Sequence, residues 1–373
     1  MRNTEATISL GALQNNAACI RKALNPGVLL CAVVKADAYG HGLIPVAKRL
    51  QQSGADYLAV AIVEEGLALR DAGITIPILV MGPISERAIE ACLANNLTMT
   101  VPSLEKLAMV AAVALTKSIP ARIHLKIDTG MGRIGVHWDR AHAFVENART
   151  LHAAGSIVCE GIYSHFSNSL DPAYTKLQYE RFMGVVGMAE KAGLSIPLKH
   201  LSSSRSIFLY PEYQLSMVRP GIALYGIEPE PEYPILPYGF APVLTLTTEV
   251  AYFKVVMKGE TVGYGNKWTP ESEYARVVTL PVGYADGLPR RLSNIGRVII
   301  HGKIYPIVGG VCMDQCMVSL GENGEAYVGD QVILIGKDGD AKISAEDIAA
   351  LIGTASHEIT TTISSRVPRV WRE

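Results

Sequence analysis

The chain has 373 residues, of which 49% are hydrophobic and 18% are charged, and its formal net charge is -1. This length exceeds one ordinary hydrophobic core and predicts two domains, while a near-neutral charge without a basic stripe argues against nucleic acid and anionic membranes as partners. Residues Met1 to Glu5 lack the apolar core of a signal peptide, and no apolar run approaches the roughly 18 residues of a membrane span. We therefore expect a cytoplasmic protein without membrane insertion.

Residues 1–238 predict a first domain in which short apolar runs alternate with longer amphipathic ones. The apolar runs predict strands at 29–34, 57–62, 77–81, 98–101, 121–127, 157–164, 198–202 and 217–225. The amphipathic stretches predict helices such as Leu43–Ser53, Glu64–Ala72, Ser85–Asn95, Ser103–Lys117 and Asp171–Ala192. This alternation favours parallel strands joined by crossover helices, and eight such units in roughly 200 residues favour a (β/α)8 barrel of the TIM type over an open sheet.

A proline-rich connector that begins at Glu228 and reaches Pro242 separates this domain from the second. Short β-rich runs with turns follow, at 243–257, 275–283, 297–300, 304–311, 315–320 and 327–335. One clear helix is predicted among them, from Ser344 to Leu351. Residues 239–373 therefore predict a mostly-β domain, and the fold class is α/β.

Lys35 ends the first predicted strand, and polar and glycine residues follow it at once. An amine at the end of a buried strand is partly desolvated, which favours its neutral form and lowers its pKa. A neutral amine at a barrel mouth can form a Schiff base with a carbonyl, and pyridoxal 5'-phosphate (PLP) is the commonest such partner. The plain alternative is a lysine that extends from a strand end into water.

Reactive residue types recur at the ends of the later strands, where barrels of this kind build their active sites. They are Lys126, Asp128 and Arg133 after the fifth strand, His165 at the sixth, His200 with Ser202–Ser204 at the seventh, and Arg219 in the eighth. Each has an ordinary structural explanation by itself. Five strand ends that converge on one mouth favour an active site over packing.

The six cysteines form no CxxC pair, and most lie in apolar runs. We expect buried free thiols and no metal site. The serines after the seventh strand, together with Gly221 and Ile222, supply the hydroxyl and N–H groups that a phosphate needs.

Seven motifs in chain order resemble those of alanine racemase, a PLP enzyme of fold type III, over essentially the full length. They are Val34–Gly42, Lys126–Arg133, Arg219–Gly226, Val262–Gly265, Gly283–Gly287, Cys312–Gln315 and Arg366–Arg369. The resemblance implies interconversion of L- and D-alanine, with D-alanine used for peptidoglycan. It also implies a head-to-tail homodimer in which each active site combines one subunit's barrel with the other subunit's β domain.

The resemblance also implies the roles of individual residues. Lys35 is similar to the lysine that binds PLP and acts as a base on one face of the substrate, and Tyr264 resembles the opposing base, donated by the partner subunit. Phosphate contacts are implied for Tyr39, Ser204, Gly221 and Ile222. Substrate contacts are implied for Arg133 and Met313. Further cofactor contacts are implied for His165, beside the tyrosine, and for Arg219, on the pyridine nitrogen. Supporting positions are implied for Lys126, which is carbamylated in many members, for His200 behind Arg219, and for Asp314 and His357.

Racemisation needs a proton removed from one face and returned to the other, so two bases that flank a planar intermediate suit it. Lysine and tyrosine have reference pKa values of roughly 10, so both must be lowered. Desolvation lowers the pKa of Lys35 but raises the pKa of a phenol such as Tyr264. We therefore expect His165 and Arg219 to supply a positive charge near Tyr264.

Four readings stay open from the sequence. His357 stands where the family usually has tyrosine, and Ser203 replaces a commoner asparagine, so the choice is between an unchanged alanine site and a racemase for serine or a broader set. A non-catalytic PLP protein of the same barrel type lacks the second domain, so Tyr264 and Met313 argue against it. A decarboxylase of the same fold is disfavoured by Arg219, which leaves the pyridine nitrogen unprotonated.

Overall fold

The computed structural model describes residues 3–228, 233–234, 236 and 239–373. Part of the predicted proline-rich connector, at residues 229–232, 235, 237 and 238, lies outside the described residues. The predicted domain boundary after residue 238 lies at the edge of this gap and stays a prediction.

The elements of the first half, apart from β1 (Glu5–Ser9), form the predicted barrel. In chain order they are β1 (Glu5–Ser9), α1 (Leu10–Lys22), β2 (Leu29–Val33), α2 (Lys35–Tyr39), α3 (Leu43–Gln52), β3 (Tyr57–Val60), α4 (Val63–Asp71), β4 (Ile78–Val80), α5 (Glu86–Ala94), β5 (Thr98–Val101), α6 (Leu104–Lys117), β6 (Ala121–Asp128), β7 (Val136–His137), α7 (His142–Ala153), β8 (Ile157–Tyr163), α8 (Pro172–Lys191), β9 (Leu198–His200), α9 (Ser204–Leu209) and β10 (Met217–Val218). Within the described ranges the parallel strands run in the order β10-β2-β3-β4-β5-β6-β8-β9. A parallel bridge between Ser203 and Arg219 connects the last strand to the first, so the predicted (β/α)8 barrel is confirmed.

The barrel strands are continuous apolar runs because both of their faces are covered. Every residue of β3, β4 and β5 is buried, as expected for parallel strands enclosed by helices. The helices begin at the predicted caps: the side chains of Ser85, Ser103 and Asp171 accept hydrogen bonds from backbone N–H groups of the first turn.

The eighth barrel strand is shorter than the predicted run 217–225. It ends at Val218, and residues 222–225 form a short 3-10 helix. Pro220 has no N–H to donate to a neighbouring strand, so the ladder stops there. Arg219 therefore follows the strand and does not lie inside it.

The second half forms the predicted mostly-β domain. Its elements are β11 (Leu244–Glu249), β12 (Tyr252–Met257), β13 (Tyr274–Leu280), β14 (Arg297–Ile300), β15 (Lys303–Val308), β16 (Cys316–Gly321), β17 (Gln331–Asp338), β18 (Ala341–Ile343), α10 (Ala345–Ile352), α11 (Ser356–Thr361) and β19 (Arg369–Arg372). The helix predicted at Ser344 is confirmed as α10, whereas the six-residue α11 has no counterpart in the prediction. It ends in consecutive threonines, which lower helix propensity.

Strand β1 belongs to this second sheet, although it precedes the barrel in the chain. The sheet runs in the order β12-β13-β16-β15-β14-β17-β11-β1-β19, with β18 beside β17. Ala6 pairs with Leu246 of β11 in antiparallel fashion and with Arg369 of β19 in parallel fashion. None of the helices in the described part of the chain is long and apolar enough to cross a membrane.

Candidate active site

Lys35 follows β2 at the start of a left-handed turn. The φ values of Ala36, Asp37, Ala38 and Tyr39 are +53°, +52°, +54° and +55°. This conformation is unfavourable for residues other than glycine, by about 1–2 kcal/mol each. Two side chains hold it: Glu65 accepts a hydrogen bond from the Ala36 N–H at 2.6 Å at its start, and Asp37 accepts one from the Leu43 N–H at 2.7 Å, which ties the turn to the beginning of α3.

The Lys35 amine lies in the environment that the sequence predicted. Burial lowers its pKa below that of an ordinary lysine, and the positive charge of Arg133 lowers it further, while Glu65 opposes the shift. The predicted direction is confirmed. A larger neutral fraction at pH 7 makes this amine a competent nucleophile and base.

Arg219 is the centre of a buried hydrogen-bond network at the barrel mouth. It is 3% exposed, and it donates to His200 Nδ1 at 2.6 Å, to the Ser164 carbonyl at 2.8 Å and to His165 Nδ1 at 3.2 Å. Its guanidinium also lies 5.0 Å from the centre of the Tyr163 ring. Its Nε–H has no acceptor among the described residues, and so one donor stays available for a ligand.

Arginine donates only, and this fixes the tautomers of two histidines behind it. His200 accepts at Nδ1, so its proton is on Nε2, from which it donates to His124 Nδ1 at 2.9 Å. His124 in turn carries its proton on Nε2, which is buried and has no partner in the described ranges. Burial and the Arg219 charge lower the pKa of His200 well below its usual range, so the pair is neutral.

One expectation about charge is wrong. Burial, followed by the charges of Arg219 and Lys126, holds the pKa of His165 well below its usual range. His165 is therefore neutral, and it cannot supply positive charge to Tyr264. Of the two groups expected to carry that charge, Arg219 alone is charged, and its proximity to Tyr264 stays a prediction.

Lys126 lies within β6 and is 4% exposed. Burial and the nearby Arg219 charge lower its pKa from 10.5 to about 7. Its Nζ donates to the Ile127 carbonyl at 3.1 Å and lies 4.9 Å from the centre of the Tyr163 ring. Arg133 lies on the exposed loop beyond β6, and no hydrogen bond joins it to Lys126 in the described structure.

A cradle for an anion lies where the predicted phosphate contacts come together. Ser204 Oγ accepts hydrogen bonds from the Gly221 and Ala223 N–H groups at 3.0 and 3.2 Å. A Cβ atom at Gly221 would lie 2.4 Å from the Tyr39 hydroxyl, so only glycine leaves this space open. Ile222 begins a 3-10 helix, and its N–H has no acceptor within that helix.

Tyr264 and Met313 lie in the second domain, away from Lys35. They line one cavity of about 700 Å³, together with residues that include Lys254, Cys312 and Asp314. Tyr264 is 76% exposed and Met313 is 53% exposed. Within one chain, the structure therefore does not bring the two predicted bases together. Asp314 pairs with Arg366 at 2.8 Å, which braces the loop that carries Met313.

His357, in α11, faces the left-handed turn formed by Ala36–Tyr39, here called the Lys35 turn. Its ring lies 6.5 Å from that of Tyr39, in an edge-on arrangement. Burial and the Lys35 charge lower its pKa. Its imidazole nitrogens make no hydrogen bond to described residues, so they remain available to a polar ligand.

Sequence reasoning missed several contributors to this site. Tyr163 lies between Lys126 and Arg219 and stacks on His200 at 4.7 Å. His124 extends the network by one residue, and its position two residues before Lys126 on the same strand was a usable signal, because alternate residues share a face.

Comparisons with known proteins give concordant results. A family model described as alanine racemase, N-terminal domain, matches residues 8–229, and one described as alanine racemase, C-terminal domain, matches residues 243–371. The chain is 42% identical to an alanine racemase of Halothermothrix orenii, over 100% of this chain and 97% of the relative. It is 40% identical to one of Desulfovibrio desulfuricans, over 99% and 98%.

Solved structures agree. An alanine racemase of Clostridium difficile 630 has a TM-score of 0.93 and 37% identity, with 100% of this chain and 96% of that one covered. An alanine racemase of Bacillus anthracis with bound L-Ala-P gives the same TM-score, identity and coverage.

Proposed function

Because the chain belongs to the alanine racemase family, we propose that it interconverts L- and D-alanine with PLP and two bases, Lys35 and Tyr264. It is an isomerase that racemises an amino acid, and D-alanine for peptidoglycan is the general role of such enzymes. The observation that carries the proposal is the convergence of the Lys35 amine, the Arg219 donor and the Gly221 cradle at one barrel mouth.

The residues at the mouth fit PLP. When bound, PLP supplies a carbonyl that condenses with amines and a ring that withdraws electrons from the α-carbon. Lys35 would hold it covalently, Tyr39, Ser204, Gly221 and Ile222 would hold its phosphate, and the free Arg219 Nε–H would donate to the pyridine nitrogen. A donor without a transferable proton keeps that nitrogen neutral, which favours reversible proton exchange over decarboxylation.

The two bases act on opposite faces of the α-carbon. Lys35 Nζ, whose pKa is lowered by burial, would take or return the proton of the D-isomer. The Tyr264 hydroxyl would do the same for the L-isomer, with the Arg219 charge as the nearby cation. Arg133 and the backbone at Met313 would orient the substrate carboxylate.

The separation of Lys35 and Tyr264 requires a second subunit in this proposal. Strand β12 is an edge of the second sheet, and its residues Tyr252, Val255 and Met257 are exposed, while its Lys254 lines the Tyr264 cavity. An apolar edge of this kind is typical of an interface. We propose a homodimer in which each barrel receives Tyr264 of the partner subunit.

A mixed dimer tests the shared site. Neither a Lys35→Ala chain nor a Tyr264→Phe chain should racemise alanine well alone. After exchange of subunits, half of the hybrid's sites would contain both bases, and activity should return. Absence of recovery, with hybrid dimers demonstrated by differential tags, would contradict the shared site.

Substrate choice is the open part of the proposal. The free imidazole nitrogens of His357 beside Tyr39 favour a second candidate, a racemase that also accepts serine. The test is kcat/KM for D-isomer formation from L-alanine and from L-serine, with added PLP. A large preference for alanine in the parent would reject the second candidate. Comparable serine turnover that falls in His357→Tyr would support it.

A further inference from the structure

The last strand of the second sheet contacts the backbone that follows Lys35. Alternate side chains of a strand share a face, and residues 369, 371 and 373 lie on the face toward this turn. Arg369 Nε donates to the Gly40 carbonyl at 3.1 Å, and Trp371 Nε1 donates to the His41 carbonyl at 3.0 Å. Glu373 then pairs with Arg49 of α3, with an N–O distance of 2.5 Å.

Two glycines permit this close approach. A Cβ atom at Gly40 would lie 2.1 Å from the Thr360 carbonyl oxygen, and one at Gly42 would lie 2.6 Å from the Trp371 ring. Both glycines have positive φ, +83° and +95°. The end of the left-handed turn is therefore enclosed by α11 on one side and β19 on the other.

Arg369 is itself rigidly held. Besides Gly40, its guanidinium donates to the carbonyls of Ser364, Val367 and Ile363 at 2.6, 2.8 and 2.5 Å. One side chain thus connects the loop before β19 to the end of the Lys35 turn. A guanidinium with four carbonyl acceptors has little freedom to move, and so it fixes the Gly40 carbonyl in place.

The turn needs such support, because four consecutive left-handed residues without glycine persist only where the surrounding structure determines them. Glu65 holds the start of the turn, Asp37 ties it to Leu43 of α3, and β19 contacts the carbonyls at its end. We propose that Arg369 and Trp371 are positioning residues, which set the orientation of the Lys35 amine by fixing the Gly40 and His41 carbonyls. This inference rests on the proposed role of Lys35.

Conservative variants separate positioning from packing. Trp371→Phe keeps an aromatic side chain but removes the N–H donor together with part of the ring that lies against Gly42. Arg369→Lys keeps the charge and removes the fork of donors without a loss of ring packing. Arg372→Lys is the matched control, because Arg372 is exposed on the opposite face of the same strand.

Hydrogen exchange of the PLP-free dimer is the first readout. Loss of one hydrogen bond should speed exchange in residues 36–43 by roughly 3- to 10-fold in Trp371→Phe, with the rest of the barrel unchanged. The second readout is the pH dependence of Lys35 acetylation, measured by mass spectrometry. Its midpoint should move up toward that of an ordinary lysine in both variants and stay fixed in Arg372→Lys.

Activity is the third readout. With PLP bound, kcat for alanine should fall roughly 3- to 10-fold while KM changes little, because the base is misplaced and the substrate contacts remain. Unchanged local exchange together with an unchanged Lys35 titration would overturn the proposal. Faster exchange throughout the chain would also overturn it, since that result indicates a purely structural role. If the parent fails to racemise alanine, the proposed function fails, and exchange and acetylation still decide the positioning role.

Discussion

Replacement of Lys126 by methionine should stabilise the protein, and more at pH 7 than at pH 9. Lys126 is 4% exposed, and the pKa of its amine is about 7 in the folded protein against 10.5 for an ordinary lysine. The unfolded chain therefore binds this proton more tightly, and the free energy of unfolding rises with pH between about 7 and 10.5. Below pH 7 the folded protein carries the full cost of a charged, buried amine.

The size of the effect follows from the same pKa values. Well above the folded pKa each pH unit adds about 1.4 kcal/mol, and because the folded amine is half protonated at pH 7, the interval from pH 7 to pH 9 adds about 2.3 kcal/mol to the stability of the parent. Methionine does not titrate, so its advantage should shrink by that amount. With an unfolding entropy of about 2 cal/mol/K per residue, this corresponds to about 3 °C in Tm.

The assay is differential scanning fluorimetry of both proteins without PLP, in buffers free of carbon dioxide so that the amine stays unmodified. Lys191→Met, at an exposed position of α8, is the control and should show the same Tm difference at both pH values. A Tm difference for Lys126→Met that does not vary with pH would refute the argument that a free amine is buried there.

Two further predictions concern the bases and the cradle. Tyr264→Phe should reduce α-proton exchange from L-alanine more than from D-alanine, since only the L-face loses its base; equal losses, measured by deuterium incorporation from each isomer, would contradict the assignment. Gly221→Ala should weaken PLP binding by about tenfold or more, because the new Cβ would lie 2.4 Å from the Tyr39 hydroxyl. Gly184→Ala on α8, where a Cβ meets nothing within 4 Å, is its matched control in PLP absorbance titrations, and equal affinities in the two variants would show that the cradle is not the phosphate site.

The barrel was predictable because its signals are local. Continuous apolar runs mark strands covered on both faces, as in β3 and β5, and caps such as Ser103 mark where helices begin. The positions of Lys35 and His165 at strand ends could be predicted because the apolar runs before them mark where the strands end. The end of β10 was harder to predict. The apolar residues 222–225 continue the strand-like sequence pattern, although Pro220 has already ended the hydrogen-bonded ladder.

Other features depend on contacts between distant parts of the chain. Ala36–Tyr39 contain no glycine, so their left-handed φ values have no sequence signal, and they persist through side chains as distant as Arg369 and Trp371. The charge of His165 was misjudged because its pKa depends on burial and on the neighbouring Arg219. Neither can be read from residue type.

The place of β1 in the second sheet constrains how the protein can assemble as it is synthesised. Residues 5–9 are synthesised before their partners in β11 and β19, which follow more than 230 and 360 residues later in the chain. The barrel can begin to close while β1 still lacks both neighbours, and such unpaired strands are prone to aggregate. The Lys35 turn likewise waits for β19. Lys35 is thus synthesised long before the strand that encloses the turn after it, and the final geometry of this turn forms only after β19 has been made.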